Sequence, residues 1–252
     1  MRLADKVALV TGASGAIGGA IARRLASEGA LVTGTYADHT DMAHEGGGDS
    51  TQGRAAVQMI HLDQRSPAAI DVVVAEMSKR FSRLDILVNN AAWNVRIPFD
   101  DLDALNGDVW DRVIETNLRG PFLLARACAS LLKGDGGGHI VNISSIGGIV
   151  PIGSSVAYAV GKAGLNHLTR CLAVAMAPEV AVNCIAPGLV ENTGMSNTAM
   201  DPASQEAARE ATLLETGARV EDVVDQMMSF VCSTSITGQI ISVDGGLPGT
   251  MR

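Results

Sequence analysis

Short runs of β-branched and aliphatic residues recur along this chain, and nearly all are followed by a stretch with helical spacing. The runs are 6–11, 30–36, 56–62, 84–89, 139–144, 180–185 and 239–243; the helical stretches lie at about 17–28, 67–81, 108–132, 156–177 and 219–232. Parallel strands cannot be joined by a tight turn and need a crossover, usually a helix. The alternation predicts an α/β fold: a doubly wound parallel sheet of about seven strands with helices on both faces. The 252 residues suffice for one domain with a full core. No linker or repeat divides them. A single domain over 1–252 is expected, with the polar, Met- and Ala-rich segment at about 190–216 as a lid.

Two stretches carry chemistry. The first strand ends at Thr11 and runs into Gly12-Ala-Ser14-Gly15-Ala16-Ile17-Gly18, then into the first helix. Strand, glycine-rich turn and helix together let the backbone approach a pyrophosphate, and the helix amino end offers free N–H groups and a positive dipole end. The second stretch is Ser144 to Lys162. Tyr158 and Lys162 are four residues apart, so on a helix they share a face. A phenol is a poor acid-base group at neutral pH, and a nearby ammonium favours the phenolate and pulls its pKa down. Ser145 stands thirteen residues before Tyr158. A strand ending there presents a hydroxyl at the sheet's carboxyl edge, where open α/β sheets bind ligands. Ser144 competes with it for this place. Serine, tyrosine and lysine together can move a proton on and off a carbonyl oxygen.

Bulk properties narrow the partners. Nineteen Lys and Arg against 27 Asp and Glu give a net charge of −8, which argues against nucleic acid or an anionic membrane. No run of 18 apolar residues exists, and charges interrupt the amino-terminal apolar run, unlike a signal peptide. The four cysteines, Cys128, Cys171, Cys184 and Cys232, form no metal pair. They read as buried free thiols in a reducing cytosol, so a cytoplasmic location and no metal are expected.

With Thr11-Gly12-x-x-x-Ala16-x-Gly18, Asp63, Asn89-Asn90-Ala91-Ala92, Asn117, Ser145, Tyr158-x-x-x-Lys162 and Pro187-Gly188 in this order, the chain resembles the short-chain dehydrogenases/reductases over nearly its whole length. The resemblance implies a Rossmann-type dinucleotide-binding catalytic domain and NAD(P)-dependent oxidoreduction of a small-molecule alcohol or ketone. It implies Ser145, Tyr158 and Lys162 as catalytic groups, and Asn117 as the holder of a water that links Lys162 to solvent. It also implies cofactor contacts from Gly12, Ser14, Ala16, Ile17, Gly18, Asp63, Asn89, Ala91, Tyr158, Lys162, Pro187, Gly188 and Thr193. Asp63 would meet the adenine amino group. A homotetramer built on the helices at 108–132 and 156–177 is the family's expectation.

The chain departs from the pattern in places. Ala16 replaces the middle glycine of the first motif, and the usual threonine after Pro187-Gly188 falls one residue late, at Thr193 after Asn192. Cofactor choice leans to NAD. Strand two ends Tyr36-Ala37 without a diagnostic charge, Asp38 would repel a 2′-phosphate or is a solvated loop acid, and no Lys or Arg occurs between Arg24 and Arg54. Trp93, Val95, Ile149, Ile152 and Leu189 are candidate pocket walls, and Trp93 reads equally as packing. A 3-oxoacyl thioester is an alternative substrate. A non-catalytic NAD(P)-binding sensor or structural subunit is the alternative of another class.

Overall fold

The structure, a computed structural model, describes residues 2–37, 57–134, 136–191, 193 and 200–251. Asp38, Asn192 and, of the expected lid, residues 194–199 lie outside the described residues. The elements run β1 (Val7–Val10), α1 (Ala16–Ser27), β2 (Leu31–Tyr36), β3 (Gln58–His61), α2 (Pro67–Phe81), β4 (Ile86–Asn89), α3 (Gly107–Ile114), α4 (Gly120–Lys133), β5 (Gly138–Ile143), α5 (Val156–Met176), β6 (Val180–Pro187), α6 (Pro202–Glu210), α7 (Val220–Val231) and β7 (Ile240–Val243). The sheet has seven parallel strands in the order β3-β2-β1-β4-β5-β6-β7. The order reverses between β1 and β4, the switch point at which such sheets bind ligands.

Period-two alternation places one set of β1 side chains on each face. Ala8 and Val10 join Ile21 and Leu25 of α1 and Met227 and Phe230 of α7. Val7 and Leu9 join Ile70 and Met77 of α2, Leu124 and Leu132 of α4, and Leu172 of α5. Both faces are buried, which is why the strands read as continuous aliphatic runs.

Three expectations change. The helix expected over 108–132, with a disrupted turn where Asn117 stands one turn before Pro121, is split there by a π-helical turn at Glu115–Arg119. Pro121 has no N–H to give, and the Gly120 N–H bonds back to the Glu115 carbonyl, five residues away. Of the cysteines expected to be buried, Cys128 and Cys184 are, but Cys171 and Cys232 are exposed; Cys171 turns outward on α5, and Cys232 caps α7 at the surface. Within 190–216 a helix, α6, forms, capped by the Asp201 side chain accepting from the Ser204 N–H. Among the described residues no helix is long and apolar enough to cross a membrane, and no acid, His and Cys cluster could hold a metal.

Candidate active site

The glycine turn leaves β1 at the switch point and is held by β4's continuation. Thr11 Oγ1 accepts from the N–H groups of Asn90 and Ala91, each at 3.0 Å. Asn90 Nδ2 donates to the Thr11 carbonyl at 2.9 Å and to that of Gly12 at 3.2 Å. Gly12 has φ +66°, and a Cβ there would stand 2.9 Å from Ala91 Cα. A Cβ on Gly18 would overlap the Gly12 carbonyl oxygen. Both positions therefore need glycine. Ala16 opens α1 with its methyl exposed, so that departure takes no room from the turn. Gly15, at the N-cap, offers no side chain, and the first turn carries no acid. Ser14 and Ile17 flank these free N–H groups, half-buried. An uncapped helix amino end behind a turn that excludes side chains fits a pyrophosphate.

The second group gathers beyond β5. The Ser155 side chain caps α5 by accepting from the Tyr158 N–H at 3.2 Å, which puts Tyr158 in the first turn and Lys162 one turn on. Lys162 Nζ lies 5.6 Å from the Tyr158 ring centroid and donates to the Ile143 carbonyl at 2.8 Å. Ser144 and Ser145 part ways here. The Ser144 hydroxyl is buried and donates to the Lys162 carbonyl at 3.1 Å. Ser145 accepts from the Gly147 N–H at 3.2 Å, and its hydroxyl favours the Tyr158 phenolate.

Burial dominates the titration of this corner. It pushes the Tyr158 phenol above its ordinary value, with the Ser145 hydroxyl acting the other way. Burial also brings Lys162 down to about 8. The expectation that Lys162 pulls the phenol down is not met in this structure: a cation so poorly solvated holds its own proton weakly, and its Nζ is turned to a carbonyl.

Asn117 sits in the π-turn with 1% of its surface exposed. Its carboxamide bonds the main chain of Trp93: Nδ2 donates to the carbonyl and Oδ1 accepts from the N–H, both at 2.8 Å. A water there would use the turn's main chain, or the second N–H and second lone pair that the carboxamide keeps. Trp93 packs toward Val113, Ala157 and Tyr158 with Arg112 stacked 4.2 Å from its ring, which is its packing reading.

The remaining expected residues lie along the same carboxyl edge. Asn89 is buried and donates to Asn142 Oδ1 at 2.8 Å, tying β4 to β5 with its side chain rather than opening toward a ligand. Ala91 lines the glycine turn. Asp63 follows β3, and both its oxygens accept from Arg65, which holds its carboxyl below the usual range. Pro187 ends β6, and the Gly188 N–H bonds the Val243 carbonyl at 2.9 Å. A Cβ on Gly188 would press on Asp244. Thr193 is buried, its hydroxyl donating to the Val190 carbonyl at 3.3 Å. Sequence reasoning missed the roles of Thr11 and Gln64 as ties between these segments, while Asn89 and Asn90 are the ties expected of the asparagines there. A cleft of about 940 Å³ between β7 and α7 is lined by Val243 and Asp244 and by none of the expected site residues.

Comparison with known proteins agrees with this arrangement. The sequence profile described as enoyl-(acyl carrier protein) reductase matches residues 12–248. A Streptomyces violaceoruber protein named as ketoacyl reductase 2 of the granaticin polyketide synthase is 37% identical over 95% of both chains. Human dehydrogenase/reductase SDR family member 4 is 34% identical, covering 99% of this chain and 90% of that one. A point variant of actinorhodin polyketide ketoreductase, solved with NADPH, superposes with a TM-score of 0.87 at 27% identity, over 96% of this chain and 97% of its own. The chain belongs to the short-chain dehydrogenase/reductase family, whose members are NAD(P)-dependent oxidoreductases.

Proposed function

We propose that the enzyme interconverts a secondary alcohol and a ketone, with Tyr158 as the acid-base group. The observation that carries this reading is Tyr158 and Lys162 gathered on one face of α5, with Ser145 just past the end of β5, and a glycine turn shaped for a dinucleotide at the same carboxyl edge. When bound, the nicotinamide supplies or accepts the hydride. Ser145 orients the carbonyl oxygen by donating to it. Tyr158 gives that oxygen a proton in reduction and takes it back in oxidation. A phenol raised by burial keeps its proton at neutral pH, which suits reduction. Lys162 stands one turn behind and holds its proton loosely, at about 8, which suits a relay from the π-turn at Asn117. Gly12, Ser14, Ala16, Ile17, Gly18, Asp63, Ala91, Pro187, Gly188 and Thr193 would line the cofactor, with 190–216 as the lid.

NAD is the proposed cofactor, on the absence of Lys and Arg between Arg24 and Arg54 and the presence of Asp38. The actinorhodin ketoreductase was solved with NADPH, so thermal shift with NADH and NADPH at equal concentration decides. A hundredfold excess over Kd gives about 2.7 kcal/mol, and a shift with NADPH alone overturns the choice. Tyr158→Phe tests the chemistry: general acid catalysis contributes ~10²–10⁴-fold, and kcat for reduction of 2,3-hexanedione should fall by that much while cofactor Kd holds. Normal turnover would defeat the assignment. The name of the granaticin relative supports a second reading, a 3-oxoacyl thioester substrate; it requires that an acetoacetyl thioester outcompete the diketone in kcat/KM. A tetramer joined through α4 and α5 is supported by Phe122, Val160 and Val174 standing 41, 44 and 82% exposed on them, and gel filtration showing a monomer would refute it.

A further inference from the structure

Gln64 is an unusual side chain for its place. It lies in the loop between β3 and α2, only 4% exposed, three strands away from β4. Its Nε2 donates to two main-chain carbonyls, Thr116 at 2.7 Å and Ala91 at 3.1 Å. Its Oε1 is buried with no partner among the described residues. A leucine would fill similar space without that cost, so the N–H pair is the part in use.

The Thr116 carbonyl is free for a specific reason. In the π-turn the Gly120 N–H goes to Glu115, and the next residue, Pro121, has no N–H. The turn thus exposes a carbonyl that only another segment can satisfy, and Gln64 does so. Gly120 makes way for it: a Cβ there would stand 2.9 Å from Gln64 Cγ and 3.1 Å from the Gln64 carbonyl oxygen. Asn117, next after Thr116, bonds the N–H and carbonyl of Trp93, two residues after Ala91. The π-turn is therefore strapped to the 91–93 segment at two adjacent points, and Gln64 is one of the straps.

We propose that Gln64 is a positioning residue for the proton relay, holding the π-turn that carries Asn117 in register with the Ala91–Trp93 wall. This rests on the reading of Tyr158 and the relay given above. Gln64 touches neither substrate nor phenol and acts through the main chain of Thr116.

Gln64→Leu is the test, with kcat, KM and the solvent isotope effect measured on 2,3-hexanedione at saturating NADH or NADPH. Amide exchange by mass spectrometry is read in parallel. We expect kcat to fall about tenfold, KM to change less than threefold, and the solvent isotope effect on kcat to rise because proton reloading slows. Exchange at 91–95 and 115–121 should quicken about tenfold, with the rest of the chain unchanged. Gly120→Ala should reproduce the loss, and the double variant should be no worse than the more severe single one. If Gln64→Leu does not fold, Gly120→Ala and Gln64→Met carry the same comparison. An unchanged kcat and isotope effect with only a lower Tm overturns the role and leaves a structural glutamine. So does a double variant whose losses multiply. Tyr158→Phe separates the two readings: normal turnover there overturns both, whereas an inactive Tyr158→Phe beside a normal Gln64→Leu overturns only this one.

Discussion

The two edges of this sheet use buried polar groups in opposite ways. At the amino edge, Asp85 precedes β4 with 3% of its surface exposed. It accepts from Lys6 Nζ at 2.8 Å, from the Val7 N–H at 2.9 Å and from two nitrogens of Arg83. Burial pushes its carboxyl up, and the hydrogen bonds from Arg83, Lys6 and Val7 more than reverse this. At the carboxyl edge, Lys162 is 2% exposed, bonds the Ile143 carbonyl, and is brought down to about 8. One edge satisfies its charge fully and gains stability. The other leaves its charge under-solvated, which suits groups that must exchange protons.

The comparison is most exposed to failure at Asp85. Removing one partner of a buried, hydrogen-bonded charge cluster strands the others. Asp85→Ala should cost about 3 kcal/mol in urea unfolding, below the full value for a dry pair because Lys6 is 42% exposed at its side chain. The sign with pH follows from a folded pKa below the unfolded one. The contribution is present above about pH 4 and is lost as pH falls further, so the variant's deficit should shrink in acid. A deficit unchanged between pH 7 and pH 3 would show that Asp85 acts through packing.

Lys162 should behave in reverse. The gap between 10.5 and about 8 corresponds to ~3 kcal/mol of disfavour for the charged form. Lys162→Met also orphans the Ile143 carbonyl, at about 1 kcal/mol. A net gain of about 2 kcal/mol at neutral pH is expected, together with loss of activity. Here the unfolded chain binds the extra proton between pH 8 and 10.5, so the parent's stability rises with pH across that window. The variant's advantage should fade there and turn into a small deficit above it. Equilibrium unfolding at pH 7 and pH 10.5 reads both, and a variant less stable at pH 7 would break the contrast between the edges.

What the sequence reveals divides along the same line. The strands, the glycine turn and the Tyr158–Lys162 spacing are legible because each is local: a period of two, a Cβ with no room, one turn of helix. Ser145 over Ser144 is harder, since only the fold shows that the Ser144 hydroxyl is buried on Lys162's carbonyl while Ser145 is held at the turn by the Gly147 N–H. The π-turn is half legible. Asn117 and Pro121 mark an interrupted helix, but the group that satisfies the interruption, Gln64, lies 52 residues from Thr116 along the chain. No periodicity reports a contact of that range. The expected lowering of the phenol fails because spacing gives proximity without solvation, and burial outweighs the neighbour. Spacing alone also does not show that at Asp63 the residue two places on, Arg65, bonds both carboxylate oxygens.

Smaller effects sharpen the picture at the carboxyl edge itself. Thr11→Val keeps the shape and removes the oxygen that accepts from Asn90 and Ala91. Two part-buried N–H groups lose their partner, so about 1 kcal/mol should go, and cofactor Kd should weaken because the 90–91 segment sets the turn. A variant that loses stability but binds NADH and NADPH as the parent does would mean that Asn90 Nδ2 alone positions the turn.

The smallest effect is the most discriminating. Ala16 stands where the family pattern has glycine, at the first residue of α1, with its methyl exposed. If the turn binds a pyrophosphate through its N–H groups, Ala16→Gly changes no donor and frees no crowded space. Stability should fall by about 0.5 kcal/mol, since glycine is the poorer helix former and the first turn feels this less than the interior. Cofactor Kd, read by NADH or NADPH fluorescence, should move less than about twofold, under ~0.5 kcal/mol. A tenfold change would place the methyl against the cofactor. The turn would then be selecting its ligand by a side chain, and the division between a backbone-built cradle and a side-chain-built acid-base corner would fall.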